Sequence, residues 1–388
     1  MVTREMQERL EVLTRGFPVI TITGPRQSGK TTLARMAYPD HVYIDLESLI
    51  TRQRAKEDPA SLFGDGRGCY ILDEFQYVPE LLSHVKVLVD RNQIAGQFVL
   101  TGSNQFSMMK DVSQSLAGRT AILELLPFSY REAYPEGARS VYQVIYNGMY
   151  PRLVAHKMDA GLFYDSYIST YLQRDVRMLS NVQDLDTFSR FLALCAGRTG
   201  SILNKESLAN DVGVDGKTVS KWLSLLQTSY IVYMLKPWHG NLSKRLIKSP
   251  KLYFYDTGLA CRLLEMRDAD DLAAHPLRGN LFENYVVAEI LKHFYNSGTR
   301  PPLTFYRESN GTEVDLLIER GGRLVPIEIK SAATINSSFY RNLLKFAALG
   351  LNADKGTLVY SGAESWENEN CRIVGWREVV PGESRSGW

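Results

Sequence analysis

The chain has 388 residues, 44% hydrophobic and 23% charged, with a formal net charge of +2. That composition excludes a disordered or fibrous chain, and the length points to two or three domains rather than one core. Near-neutral charge excludes attraction to nucleic acid by bulk charge, so any such attraction must come from local clusters. Cys69, Cys195, Cys261 and Cys371 form no CxxC pair, which argues against a zinc knuckle or a disulfide framework and for a reducing, cytoplasmic setting. The opening MVTREMQERLEVLTRG mixes charges throughout and lacks the apolar core of a signal peptide. No apolar run approaches the roughly 20 residues of a membrane span, so no membrane association is expected.

In chain order, residues 1–16 read as a short amphipathic helix leading into FPVITITG (17–24), a buried strand. Strand-like runs VYIDLE (42–47), CYILDE (69–74) and QFVLTGS (97–103) then alternate with helical stretches such as TTLARMAY (31–38) and PELLSHVKVLVDRN (79–92). That alternation predicts a parallel sheet with crossover helices over residues 1–150. The pattern fades after LELLPFSYREAY (123–134), and residues 151–240 read as a helical segment followed by a helix–turn–helix. Residues 241–280 read as a basic linker opening on NLSKRLIKSPKL (241–252), and residues 281–388 as a last α/β unit.

Within the first unit, GPRQSGKT (24–31) fits GxxxxGK[ST] without substitution, between a strand and a helix. Gly24 and Gly29 let the backbone curl so that successive N–H groups face phosphates, and the following helix points its positive end at them. The expected nucleotide cradle is Gly24, Pro25, Arg26, Gln27, Ser28, Gly29, Lys30, Thr31 and Thr32. Lys30 would reach the β- and γ-phosphates of ATP, and the Thr31 hydroxyl would ligate Mg²⁺. CYILDEF delivers Asp73 and Glu74 to the C-terminal edge of the sheet, where ligands sit in open α/β folds. Asp73 would hold Mg²⁺, and Glu74 would orient or deprotonate the attacking water. Thr101, Ser103 or Asn104, ending the QFVLTGSN strand, would sense the γ-phosphate, or else supply ordinary turn chemistry. Arg119 in LAGRT is either an arginine finger for a neighbouring subunit's nucleotide in a homo-oligomer or a solvated or salt-bridged side chain.

Together these elements resemble AAA-type P-loop ATPases. More closely, the chain resembles prokaryotic ATPases that end in a domain of unknown function of the 4143 type. YLQRDV (171–176), KSPKLYFYDTGL (248–259) and LFENYV (281–286), followed by EVD and EIK, extend that resemblance over nearly the whole chain. It implies ATP binding and leaves the biological role open.

NKESLANDVGVDGKTVSKWLSLL (204–226) has the apolar spacing of two helices with Gly213 at the turn, and YIVYMLKPW (230–238) reads as the strand pair of a winged helix. Were the second helix to enter a major groove, Lys217, Thr218, Ser220 and Lys221 would face DNA. Lys244, Arg245, Lys248 and Lys251 would follow a phosphate backbone or form a solvated loop. The same helices would serve equally as a packing module.

In RLVPIEIK (323–330), Glu328 and Lys330 share one face of a strand; Asp315 lies in TEVDLLIE (312–319) and Glu283 in LFENYVVAEIL (281–291). Acid, acid and acid-x-lysine form the array of restriction-endonuclease-like, PD-(D/E)xK phosphodiesterases. In that array Asp315 and Glu328 hold Mg²⁺, Lys330 activates water, and Glu283 ligates a second metal or positions a water. A structural salt bridge between Lys330 and Asp315 would also satisfy these charges. The expected activity is Mg²⁺-dependent ATP hydrolysis acting on DNA, with a tail that binds or cleaves branched or broken DNA. The alternative is a nucleotide-operated signalling or defence switch whose tail only contacts DNA or protein.

Overall fold

The strand expected to open the first unit forms as β1, Val19–Thr23, with all five residues buried. The protein is described by a computed structural model over residues 2–103, 112, 114–172, 184–239, 248–308 and 311–380. Alternating Val, Ile and Thr give β1 branched side chains on both faces, which suits a strand covered on both sides. It pairs in parallel with β4 (Phe98–Thr101) and β5 (Thr120–Glu124). With β2 (Val42–Asp45) and β3 (Tyr70–Asp73), the order is β2-β3-β4-β1-β5, all parallel. One face buries Val85, Val89, Phe98 and Leu100; the other buries Met6, Leu10, Leu33 and Ile20. Because every strand runs the same way, Thr23, Asp73, Thr101 and Glu124 emerge at one edge.

The middle begins with helices Pro151–His156, Ala160–Tyr167 and Leu185–Ala196. A short β6 (Ser201–Ile202) precedes helices Lys205–Val212 and Gly216–Thr228. Gly213 closes the first of these at φ 82°, a left-handed conformation that a side chain would strain. Asp215 then caps the second by accepting the Lys217 and Thr218 N–H groups. The strand pair expected within residues 230–238 is instead divided. Only β7 (Val232–Pro237) lies there, and its antiparallel partner is β8 (Lys251–Phe254), which also pairs with β6.

Of the residues expected to be linker, 251–254, 257–263 and 269–274 therefore lie in strand or helix. Beyond β8, helices Thr257–Leu263 and Ala269–Ala274 follow, each capped by an aspartate, Asp256 and Asp268. Asp256 also accepts from the Met149 N–H and the Tyr164 hydroxyl, tying this stretch to the middle helices. Lys251 and Leu252, read with the basic stretch, open β8, whose four residues are all buried.

The rear unit starts with helix Arg278–Asn296, then β9 (Leu303–Arg307), β10 (Glu313–Arg320) and β11 (Arg323–Lys330) in an antiparallel meander. Helix Arg341–Ala347 leads to β12 (Thr357–Tyr360), which runs parallel to β11. β13 (Trp366–Glu367) and β14 (Arg372–Gly375) finish the edge. β7 pairs in parallel with β9, so middle and rear share one sheet, β13-β14-β12-β11-β10-β9-β7-β8-β6. They also share a core, in which Trp222 and Tyr253 belong with Phe282, Leu316 and Ile327. Among the described residues no helix is long and apolar enough to cross a membrane.

Candidate functional site

At the C-terminal edge of the parallel sheet, Gly24 turns the chain at φ 146°, and a Cβ there would meet the Leu125 carbonyl at 2.2 Å. Only glycine fits. Lys30 begins the helix Lys30–Ala37 and folds back, donating to the Gly24 carbonyl (3.1 Å) and the Pro25 carbonyl (2.7 Å). The Ser28 hydroxyl is buried without a hydrogen-bond partner. An orphaned hydroxyl and a lysine satisfied only by loop carbonyls are what a phosphate would complete. The Thr31 hydroxyl donates to both Asp73 oxygens, at 2.9 and 3.0 Å, and Tyr43 Oη donates to Oδ2 at 2.7 Å. Thr101 donates to the same carboxylate. Glu74, one residue on, takes φ 53° and accepts from Ser103 Oγ at 3.2 Å and from Gln76. Asn104 lies outside the described residues.

Burial pushes Lys30 down to about 8, against the opposing pull of Glu74 and Asp73. A bound phosphate would pull it back up. Nucleotide binding should therefore take up a proton near pH 8, and affinity should fall as pH rises above the free-protein value. Dissociation constants measured from pH 7 to 9.5 should weaken by up to roughly tenfold per pH unit above 8; a flat profile would reject this.

A second cluster forms where β10 and β11 splay. The register of β10 shifts between Val314 and Leu317, which places Asp315 at a bulge. Its Oδ2 accepts the Ile329 N–H at 2.8 Å and lies 3.6 Å from Lys330 Nζ. Lys330 Nζ is 2.7 Å from Glu328 Oε1, which also accepts from Asn342 at 3.4 Å. Glu328 Oε2 is buried and without a partner. So Asp315, Glu328 and Lys330 converge. Glu283 joins from helix Arg278–Asn296 but meets other groups: Lys251 Nζ at 2.9 Å and Tyr253 Oη at 2.5 Å. Burial raises Glu283 to about 7 and Glu328 to about 8.

Three family models match in succession: an AAA domain over residues 16–134, a domain of unknown function (DUF8612) over 138–270, and another (DUF4143) over 278–379. The uncharacterized protein Rv2008c of Mycobacterium tuberculosis is 31% identical over 363 residues, covering 92% of this chain and 80% of that protein. The chain belongs to this family of AAA-domain proteins. An uncharacterized protein of Haemophilus influenzae is 20% identical, over 89% of this chain and 90% of that one. Among solved structures, the Walker-type ATPase PABY2304 of Pyrococcus abyssi aligns with TM-score 0.43 and 13% identity, over 67% of this chain and 94% of that one. The RuvB Holliday junction branch migration motor of Thermotoga maritima aligns with TM-score 0.33 and 17% identity, over 60% and 89%. At those scores the assignment rests on the family models and the mycobacterial relative.

The AAA domain places Arg119 at the start of β5, opposite the edge that carries the phosphate loop. There it pairs with Asp90 through contacts of 2.5 and 3.0 Å. It does not reach the nucleotide loop of its own chain. The DNA-facing residues expected in the middle are only partly borne by an open surface. Lys217 and Lys221 are exposed and Ser220 is half-buried, while the Thr218 hydroxyl is committed to the Asp215 cap at 2.7 Å. Lys244 and Arg245 lie outside the described residues, and Lys248 is exposed. Lys251, read as part of that basic run, is 2% exposed and points inward. As the first residue of β8 it belongs to the rear cluster, not to a phosphate-tracking loop.

Several site residues escape a sequence reading. Arg4 is buried and donates to the Ser28 carbonyl (2.9 Å), the Leu126 carbonyl (2.8 Å) and Glu132 Oε1 (2.9 Å), bracing the phosphate loop from behind. Lys251, Tyr253 and Glu313 complete the rear cluster. The one available signal was period-two spacing, Lys251 with Tyr253 and Glu313 with Asp315, which puts each pair on one side of its strand.

Proposed function

We propose that the protein is a Mg²⁺-dependent ATPase that acts on DNA, with a rear restriction-endonuclease-like module that binds or cleaves branched or broken substrates. The observation that carries the rear half is the convergence of Asp315 with Glu328 and Lys330 beside an unpartnered Glu328 oxygen. Helix, three-stranded meander, helix and parallel strand agree with a nuclease-like core, and helix, strand, two helices and two strands agree with a winged helix.

In the front site, Thr31 and Asp73 would hold Mg²⁺, because their oxygens already face one another within hydrogen-bond range. Bound there, the ion neutralises phosphate charge. Lys30 turns from the loop carbonyls to the phosphates, and Glu74, fixed by Ser103 and Gln76, takes the proton of the attacking water. Arg119, remote from its own loop, serves the nucleotide of a neighbouring subunit. In the rear site, Asp315 and Glu328 would hold the metal. Among the described residues no group of three or more His, Cys, Asp or Glu side chains is placed to hold a metal ion, so this reading needs the Ile329 carbonyl and water to fill the remaining positions. Lys330 lies beside both carboxylates, where an ammonium activates water and offsets charge on the phosphate.

Metal-dependent nicking of supercoiled or branched DNA should disappear in Lys330→Ala and persist in Lys30→Ala. Intact DNA with both wild type and Lys30→Ala would favour the switch reading instead. A specific observation speaks for that second reading: Lys330 is already engaged by two carboxylates, a satisfied ion pair that needs no substrate.

A further inference from the structure

Asp315 divides the rear cluster in two. On one side stand Lys330 and Glu328, with Glu328 Oε2 buried and without a hydrogen-bond partner. On the other side stands Lys251, whose Nζ lies 2.6 Å from Glu313 Oε1, 2.9 Å from Glu283 Oε1 and 3.8 Å from Asp315 Oδ1. Lys251 reaches that place from β8, beyond β7 and β9 in the sheet, with its ammonium 5.5 Å from the centre of the Phe305 ring. Tyr253, two residues along the same strand, donates to Glu283 Oε1 and fixes that carboxylate in position. Burial alone would drive the Lys251 proton off. The surrounding carboxylates of Glu283, Asp315 and Glu313 more than reverse this, so the group stays an ammonium.

Three carboxylates around the fixed Lys251 ammonium, with Arg307 a further 2.9 Å partner of Glu313 Oε2, are an occupied site. A divalent ion entering the Glu283 side would meet a like charge at contact distance, in a buried setting where screening is weak. We propose that the Lys251 ammonium stands in the place of a second metal ion. The rear site then holds one divalent cation, on Asp315 and Glu328, while Glu283 positions Lys251 and ligates no metal. This rests on the reading of the rear cluster as a metal-dependent phosphodiester site. It also makes that site a joint product of two regions. Lys251 and Tyr253 come from the strand that continues the middle sheet, so residues 281–388 alone lack half of the charge arrangement.

The test counts Mn²⁺ ions bound per full-length chain, by electron paramagnetic resonance of free Mn²⁺, without nucleotide and in an Asp73→Asn background that removes the front metal ligand. One ion is expected, abolished by Glu328→Gln. Glu283→Gln should leave its affinity unchanged; as a direct ligand its loss would weaken binding by at least about tenfold. Lys251→Gln should raise the count from one to two, and adding Glu283→Gln to it should return the count to one. A weakened ion in Glu283→Gln, or a count that stays at one in folded Lys251→Gln, overturns the proposal. Where Lys251→Gln fails to fold, the Glu283→Gln affinity decides by itself. No bound ion in the Asp73→Asn chain would remove the phosphodiesterase reading and this inference with it, an outcome distinct from an ion that depends on Glu283.

Discussion

Glu74→Gln is expected to lower ATP turnover by about 10²–10⁴-fold while ATP still binds, because an amide replaces the proton acceptor that Ser103 and Gln76 hold beside the phosphate loop. The amide keeps the shape and both hydrogen-bonding positions, so the φ 53° turn at residue 74 is retained. Lys30→Ala should behave in the opposite sense and lose binding itself, since it deletes the one buried ammonium in the cradle. Phosphate release and fluorescent-nucleotide titration separate the two variants. Mixing Glu74→Gln with Arg119→Ala subunits should restore turnover if Arg119 acts on a neighbour. Unchanged hydrolysis in Glu74→Gln and Lys30→Ala would refute the front-site assignment.

Lys251→Gln should cost about 3–5 kcal/mol of unfolding free energy in metal-free buffer, because it strips the shared cation from buried carboxylates. Glu313 keeps Arg307 and Asp315 keeps Lys330, but the amide leaves Glu283 without a cation. Sign and window follow from Glu283, which burial already raises from its ordinary 4.5 to about 7. Below about 7 Glu283 is protonated in the fold with or without Lys251, so its share of the loss should vanish there. Lys251 is what holds the value down to about 7, so without it the charged carboxylate is penalised further and the loss should grow as pH rises above 7. Lys355→Gln is the control: its pair with Glu367 is exposed and should change stability by less than about 1 kcal/mol. Denaturant titrations that show equal, small losses for both variants would mean that Lys251 is not the keystone of the rear cluster.

The contrast between the two clusters explains what could be read in advance. The phosphate loop is a property of eight adjacent residues, GPRQSGKT, whose conformational demands are set by their own backbone. Asp73 and Glu74 were legible because a four-residue buried strand has one way to present its end. Glu328 and Lys330 followed from alternation along β11. The approach of Asp315 to them depended on a bulge whose position the letters do not mark.

Sequence alone therefore determined the α/β alternation, the phosphate loop and the Glu328–Lys330 pair on one side of β11, all of which rest on local geometry. Tertiary structure decided the rest: that middle and rear merge into one sheet, that Arg4 braces a loop residue 24 positions away, and that Lys251 meets Glu283 across 32. Such contacts are decided by how whole elements pack. A lysine on a basic stretch and a lysine at the heart of a carboxylate cage read identically until the sheet closes over one of them.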